Sequence, residues 1–137
     1  MTKEKIFKFI KKRKTAFISS VDGNGFPNTK AMLAPRMIEG NDFYFTTNAS
    51  SMRASQYNVN EKACVYFYKR GLFSYVGVML VGTMQVLTDR RVKDEIWRAG
   101  DILFYKKGKN DPDYCVLKFT AEKCRAYKDL QTLWVEI

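Results

Sequence analysis

Residues 43–53 read Phe43-Tyr44-Phe45-Thr46-Thr47-Asn48-Ala49-Ser50-Ser51-Met52-Arg53, and the rest of the chain is organised around them. Three aromatic residues in succession fit a buried strand. Two threonines follow, then a turn of small polar residues. A short stretch able to form a helix comes next, with Arg53 in its first turn. The first N–H groups of a helix lack partners, and its dipole favours an anion there. Arg53 would add a charge-assisted fork. Two readings are open. The corner is the phosphate clamp of a nucleotide-like cofactor, or it is a strand, a turn and a capped helix with no ligand, since Thr, Ser and Asn are ordinary capping residues.

On the N-terminal side, Thr15 to Val21 reads as a strand that breaks at Asp22-Gly23-Asn24-Gly25, two turn dipeptides in tandem. Gly23-x-Gly25 is not a dinucleotide loop, because Pro27 and a strand pattern follow it where a helix should start. Asn28 to Ile38 is a second strand. Pro35 cannot donate to a ladder, so that part is an edge or a bulge. Before these, residues 3–13 fit an amphipathic helix with Ile6, Phe7 and Ile10 on one face. This helix is expected to cover the open end of a sheet.

On the C-terminal side, the pattern predicts a helix over 51–58 and a strand from Ala63 to Tyr68. A long, nearly continuous apolar strand from Tyr75 to Leu87 is expected to be buried on both faces. Gly77 and Gly82 would let that strand coil or let another backbone approach. Thr88-Asp89 can cap a helix carrying Val92 and Ile96. Strands are expected at Tyr114–Thr120 and Lys123–Lys128, and Leu133 to Ile137 suits a sheet edge. The strands are joined mostly by hairpin turns, with no alternation of strand and helix. The fold class is therefore mainly β with some helix: an antiparallel six- to seven-stranded closed or split barrel with peripheral helices, in a single domain over 1–137.

Composition narrows the function. Apolar residues make up 46% of the 137, enough for a real core. The formal charge of +10 suits a phosphorylated ligand or a polyanion, and equally a well-solvated surface. The basic residues do not interleave with the aromatics, which sit at core-like positions, so no nucleic-acid partner is expected. The absence of histidine excludes His-based acid–base catalysis, Ser-His-Asp and Cys-His sites, and His-ligated metals. Cys64, Cys115 and Cys124 are widely spaced without a Cys-x-x-Cys, and read as reduced core residues. No apolar run reaches the length of a membrane span. The charged start has no signal-peptide character, so a cytoplasmic protein with no membrane partner is expected.

Three stretches then resemble the FMN-binding split-barrel family of pyridoxamine 5'-phosphate oxidase. They are Val21-Asp22-x-x-Gly25-x-Pro27, Asp42 to Asn48, and Gly82-Thr83-x-x-Val86-Leu87 with Asp89-Arg90. The stretch Asp111-Pro112-Asp113-Tyr114 to Lys123 is similar to the small general-stress-protein subgroup. The resemblance implies a homodimer with FMN at the subunit interface. It places Lys30 near the flavin ring or ribityl chain, able to stabilise an anionic reduced form, with Met32 and Leu33 giving main-chain contacts. It assigns Thr46, Thr47, Ser51 and Arg53 to the phosphate, with Met52 in place of one cation of the family's basic pair. A glutamine of many members is Gly77 here. Both departures imply weaker FMN binding, or another ligand such as haem or a deazaflavin.

What the resemblance implies about activity is a flavin-dependent oxidoreductase of unknown substrate, with no catalytic residue to name. The alternative is a stress protein that binds flavin, haem or deazaflavin without turnover. The histidine and arginine that the true oxidase uses near its C-terminus are missing, and Gln131 to Ile137 offers only Trp134 and Glu136, so vitamin B6 oxidation is not expected. Trp134 is a core or interface tryptophan, or a neighbour of the flavin, the former being the commoner use.

Overall fold

A computed structural model describes residues 1–137. The helix α1 (Lys3–Lys11) is capped by Thr2 and followed by the hairpin of β1 (Thr15–Val21) and β2 (Pro27–Leu33). Asp22 closes that hairpin by accepting the amides of Asn24 and Phe26, both at 2.9 Å, and Gly25 takes the positive φ of 84°. Next come β3 (Met37–Glu39), β4 (Asp42–Asn48), α2 (Met52–Val59), β5 (Lys62–Arg70) and β6 (Tyr75–Leu87). The helix α3 (Arg90–Ile96), capped by Asp89, leads through two short 3-10 turns into β7 (Tyr114–Lys128) and β8 (Gln131–Val135).

The strands form one eight-stranded antiparallel sheet in the order β2-β1-β5-β6-β7-β4-β3, with β8 on the second half of β7. The strand expected over 28–38 is divided in two. Pro35 interrupts it, and the chain turns there, with Ala34 N–H bonded to Lys14 and Arg36 N–H to Tyr44. The two strands expected at 114–120 and 123–128 are instead one continuous β7. The residues between them, Ala121 and Glu122, hold a bulge and not a turn, for Val81 faces Lys123 while Gly82 faces Ala121.

The bulge is needed for the core. Leu117, Phe119 and Ala121 face inward at odd positions, Cys124 and Ala126 at even ones, and all are buried. The unpaired Glu122 shifts the alternation so that both halves of β7 turn apolar residues to the same interior. Gly82 permits the bend, because a Cβ there would overlap the Thr120 carbonyl.

The interior is filled by Phe43 and Phe45 of β4, Ile18 of β1, Val65 and Phe67 of β5, Val78, Leu80 and Met84 of β6, and the β7 residues. The α1 residues Ile6 and Ile10 join them, and Phe7 lies 5.6 Å from Phe43 ring to ring, so α1 plugs the barrel as expected. A second layer on the other face of β4 and β7 packs Tyr44, Tyr114 and Val116 against Ile96 and Tyr105. A buried ion pair of Arg36 with Asp101 ties this layer to the segment before β3. The strand β6 is buried on one side only. Its outward residues Met79 and Val81 stay half-exposed, against the expected two-sided burial.

Candidate functional site

Along β1 the inward positions run Ala16, Ile18, Ser20, and along β4 they run Phe43, Phe45, Thr47. Both series turn from apolar to polar at the same end of the barrel. Ser20 and Thr47 are nevertheless 3% and 4% exposed. Buried hydroxyls need partners, and α2 supplies them. Ser20 hydrogen-bonds to the Gln56 side chain, and the Arg53 guanidinium donates to the Thr47 hydroxyl at 3.5 Å. Tyr57 of the same helix donates to the Ser19 carbonyl at 2.9 Å, and burial pushes its phenol up to about 12.

The helix starts at this point because Ser51 caps it, its hydroxyl accepting the Ala54 amide at 3.2 Å. The amides of Met52 and Arg53 have no partner among the chain's own hydrogen bonds. The turn ahead of the cap is held by Asp113. Its carboxylate accepts the Ser50 amide at 2.8 Å and the Asn48 side chain at 2.7 Å, and its carbonyl accepts the Ala49 amide. The Asn48 contact and then the Ser50 amide hold its carboxyl below the usual range.

Beside α2 lies an open cleft of about 210 Å³, walled by Ser20, Asn28 and Lys30 on one side and Met52, Arg53 and Gln56 on the other. No acidic residue lines it. The Arg53 Nε is buried and has no partner. A guanidinium with an unmet donor, a helix start with free amides and a lysine stand beside one cleft, a set that fits a phosphate-sized anion.

The candidate residues divide as follows. Lys30, Met52 and Arg53 meet across the cleft, with Thr47 against Arg53 and Ser51 as the helix cap. Thr46, one residue earlier on the strand, takes the opposite face and reaches the Tyr105 hydroxyl in the second layer. Met32 packs against the barrel core, while Leu33 is 59% exposed on the outward side of the edge strand β2. Ser20, Asn28, Gln56 and Asp113 belong to the site or its support and were not anticipated. Ser20 carried a readable signal, a polar residue continuing the apolar alternation of Ala16 and Ile18. Asp113 carried none, because its partners lie more than sixty residues away.

An antiparallel barrel of this order, with α1 across one end and α2 against the polar end, defines a split-barrel protein. The sequence profile of the pyridoxamine 5'-phosphate oxidase family matches residues 2–128, and the chain belongs to that family. Among solved structures it is similar to a protein from Clostridium acetobutylicum related to general stress protein 26 of Bacillus subtilis. The two are 33% identical over 98% of this chain and 93% of that one, with a TM-score of 0.84. General stress protein 26 from Bacillus anthracis matches with 20% identity, 96% coverage of both chains and a TM-score of 0.75. A haem-binding protein from Mycobacterium smegmatis shares the fold at 8% identity, with a TM-score of 0.74 over 93% of this chain and 55% of that one. No curated protein matches the sequence. No helix is long and apolar enough to cross a membrane.

Proposed function

We propose that this chain binds FMN, with the phosphate in the cleft beside α2, and that it works as a homodimeric flavin-dependent oxidoreductase. The observation that carries the reading is that Arg53, whose buried Nε has no partner, and Lys30 line one cleft that holds no acid. Arg53, the Met52 and Arg53 amides and Thr47 hold the phosphate. Lys30 places a fixed positive charge beside the ligand, where it counters negative charge. FMN, when bound, supplies the redox chemistry that a chain without histidine lacks, and the protein supplies orientation and electrostatics.

The dimer rests on the outward face of the sheet. Phe17, Tyr66, Met79, Arg125 and Trp134 stand directly opposite one another across five adjacent strands, from β1 to β8. Phe17 is 37% and Trp134 67% exposed in the single chain. The Arg125 guanidinium lies 5.3 Å from the Tyr127 and Trp134 ring centres, which keeps this lone cation stacked on aromatic faces. A contiguous row of aromatic and apolar side chains, interrupted only by the stacked Arg125, marks a contact surface. A second copy seated there would give β6 the two-sided burial that its sequence predicts.

The test begins with the absorption spectrum of the natively purified protein, then titration with FMN. A flavin spectrum, or saturable FMN binding, is expected. A Soret band would replace FMN with haem, and no binding of either would end the reading. The double variant Ser51→Ala, Arg53→Ala is expected to lose FMN affinity, and unchanged affinity removes the phosphate cleft. Reduction of bound flavin by NADH or NADPH, followed by turnover with an acceptor, separates an enzyme from a carrier.

A further inference from the structure

A second hollow, of about 480 Å³, lies on the outward face of the same edge of the sheet. Its walls are Phe17, Tyr66 and Tyr68, with Ser19 and Thr29 at the rim. Thr29 also lines the cleft beside α2, so the two spaces adjoin across β2. That strand ends the sheet, so nothing in the chain closes the way around it. One space is cationic and phosphate-sized. The other is aromatic and apolar, suited to a flat ring.

Tyr66 is the unusual residue in this hollow. Its phenol lies over Gly77, and a Cβ at that position would overlap the Tyr66 hydroxyl and ring. The space that any other residue would fill on β6 is therefore taken by a side chain from β5. Tyr57 and Tyr114 donate to backbone carbonyls, of Ser19 and Lys93, whereas the Tyr66 hydroxyl bonds to nothing in the chain. Its ring is held by stacking on Tyr68, 6.5 Å between centres and 17° from parallel. Burial and the neighbouring Tyr127, Tyr68 and Tyr75 push its proton affinity up, so the group stays a neutral donor.

We infer that Tyr66 is a ligand-contacting, specificity-determining residue. The hollow of Phe17, Tyr66 and Tyr68, at the β1 end of the row on which the second copy sits, receives the flat ring of the cofactor whose phosphate occupies the Arg53 cleft, so that the ring lies between the two copies and the free Tyr66 hydroxyl donates to a polar edge of it. This rests on the FMN reading above. Gly77 has a part in it, since only a residue without a side chain leaves the phenol in place.

The full-length protein, Tyr66→Phe and Gly77→Ala are titrated with FMN and with riboflavin, following flavin fluorescence and the visible absorption band. Tyr66→Phe keeps the ring and removes the donor. It is expected to bind both flavins about fivefold more weakly, the worth of one neutral hydrogen bond. Its visible band should shift, and its FMN-to-riboflavin affinity ratio should stay that of the wild type. Gly77→Ala, which displaces the phenol without removing it, should weaken both flavins in the same direction. Wild-type protein that takes up no FMN brings down the functional reading and this inference together. Wild-type protein that binds FMN, with Tyr66→Phe identical in affinity and spectrum, overturns the role of Tyr66 alone. Undiminished affinity in Gly77→Ala, or an altered affinity ratio in Tyr66→Phe, also overturns it.

Discussion

Two adjacent threonines show how a single residue's direction decides its use. Thr46 and Thr47 are chemically alike and consecutive, yet a strand sends them to opposite faces. Thr47 meets Arg53 at the polar end of the barrel, and Thr46 joins the layer of Tyr105 and Tyr114. Thr47→Val is therefore expected to weaken FMN binding about tenfold, the loss of a hydrogen bond to a charged group. Thr46→Val should leave FMN affinity unchanged and lower only the melting temperature. Isothermal titration of the two variants checks this, and equal effects would contradict it. Both threonines are plain in the sequence as candidate hydroxyl donors. Their division is also implied by the period of two, once Phe43 and Phe45 are assigned to the interior.

At the scale of elements, two devices hold the site in place. The first is the bulge between β6 and β7, which keeps both halves of a fifteen-residue strand facing one core. Gly82→Ala forces a methyl against the Thr120 carbonyl, which cannot retreat without breaking the ladder. A loss of about 2–3 kcal/mol in denaturant unfolding is expected, the usual cost of overpacking. The second device is the Asp113 brace on the turn before α2. Its carboxyl titrates below the ordinary value of 3.8 when folded. A lowered folded pKa adds stability that is present above the unfolded value and disappears as pH falls through the folded one. The protein should thus lose melting temperature below about pH 4, and Asp113→Asn should remove part of that acid dependence while weakening FMN binding at neutral pH. An acid profile unchanged by the substitution would count against the brace. The glycine was legible as a place of close approach. The brace was not, because Asp111-Pro112-Asp113 reads locally as a turn, and only the pairing of β4 with β7 brings it to Ser50.

For the whole molecule, the question is what covers the outward row from Phe17 to Trp134. Met79 stands near the middle of that row, between Tyr66 and Arg125. Met79→Arg should convert a dimer into a folded monomer in sedimentation equilibrium and release bound flavin, because a second unpaired cation would be buried in the contact. A wild-type protein that sediments as a monomer at micromolar concentration would remove the dimer from the account. The buried thiols are not part of this behaviour. Burial pushes Cys115 and Cys124 up to about 11, which leaves them unreactive at neutral pH.

The sequence by itself determined the antiparallel barrel, the plug of α1, the turn at Asp22–Gly25 and the polar corner ending in Arg53. All of these follow from local rules: strand and helix periods, turn dipeptides and caps act over a few residues and are written consecutively. Tertiary structure alone decided that Pro35 divides a strand, that Glu122 bulges instead of turning, and that Lys30 faces Arg53 across one cleft. It also decided that the Tyr66 phenol fills the space left by Gly77. Each of those depends on which strands become neighbours, and strand pairing is set by packing of the whole core and not by the residues at the point of contact.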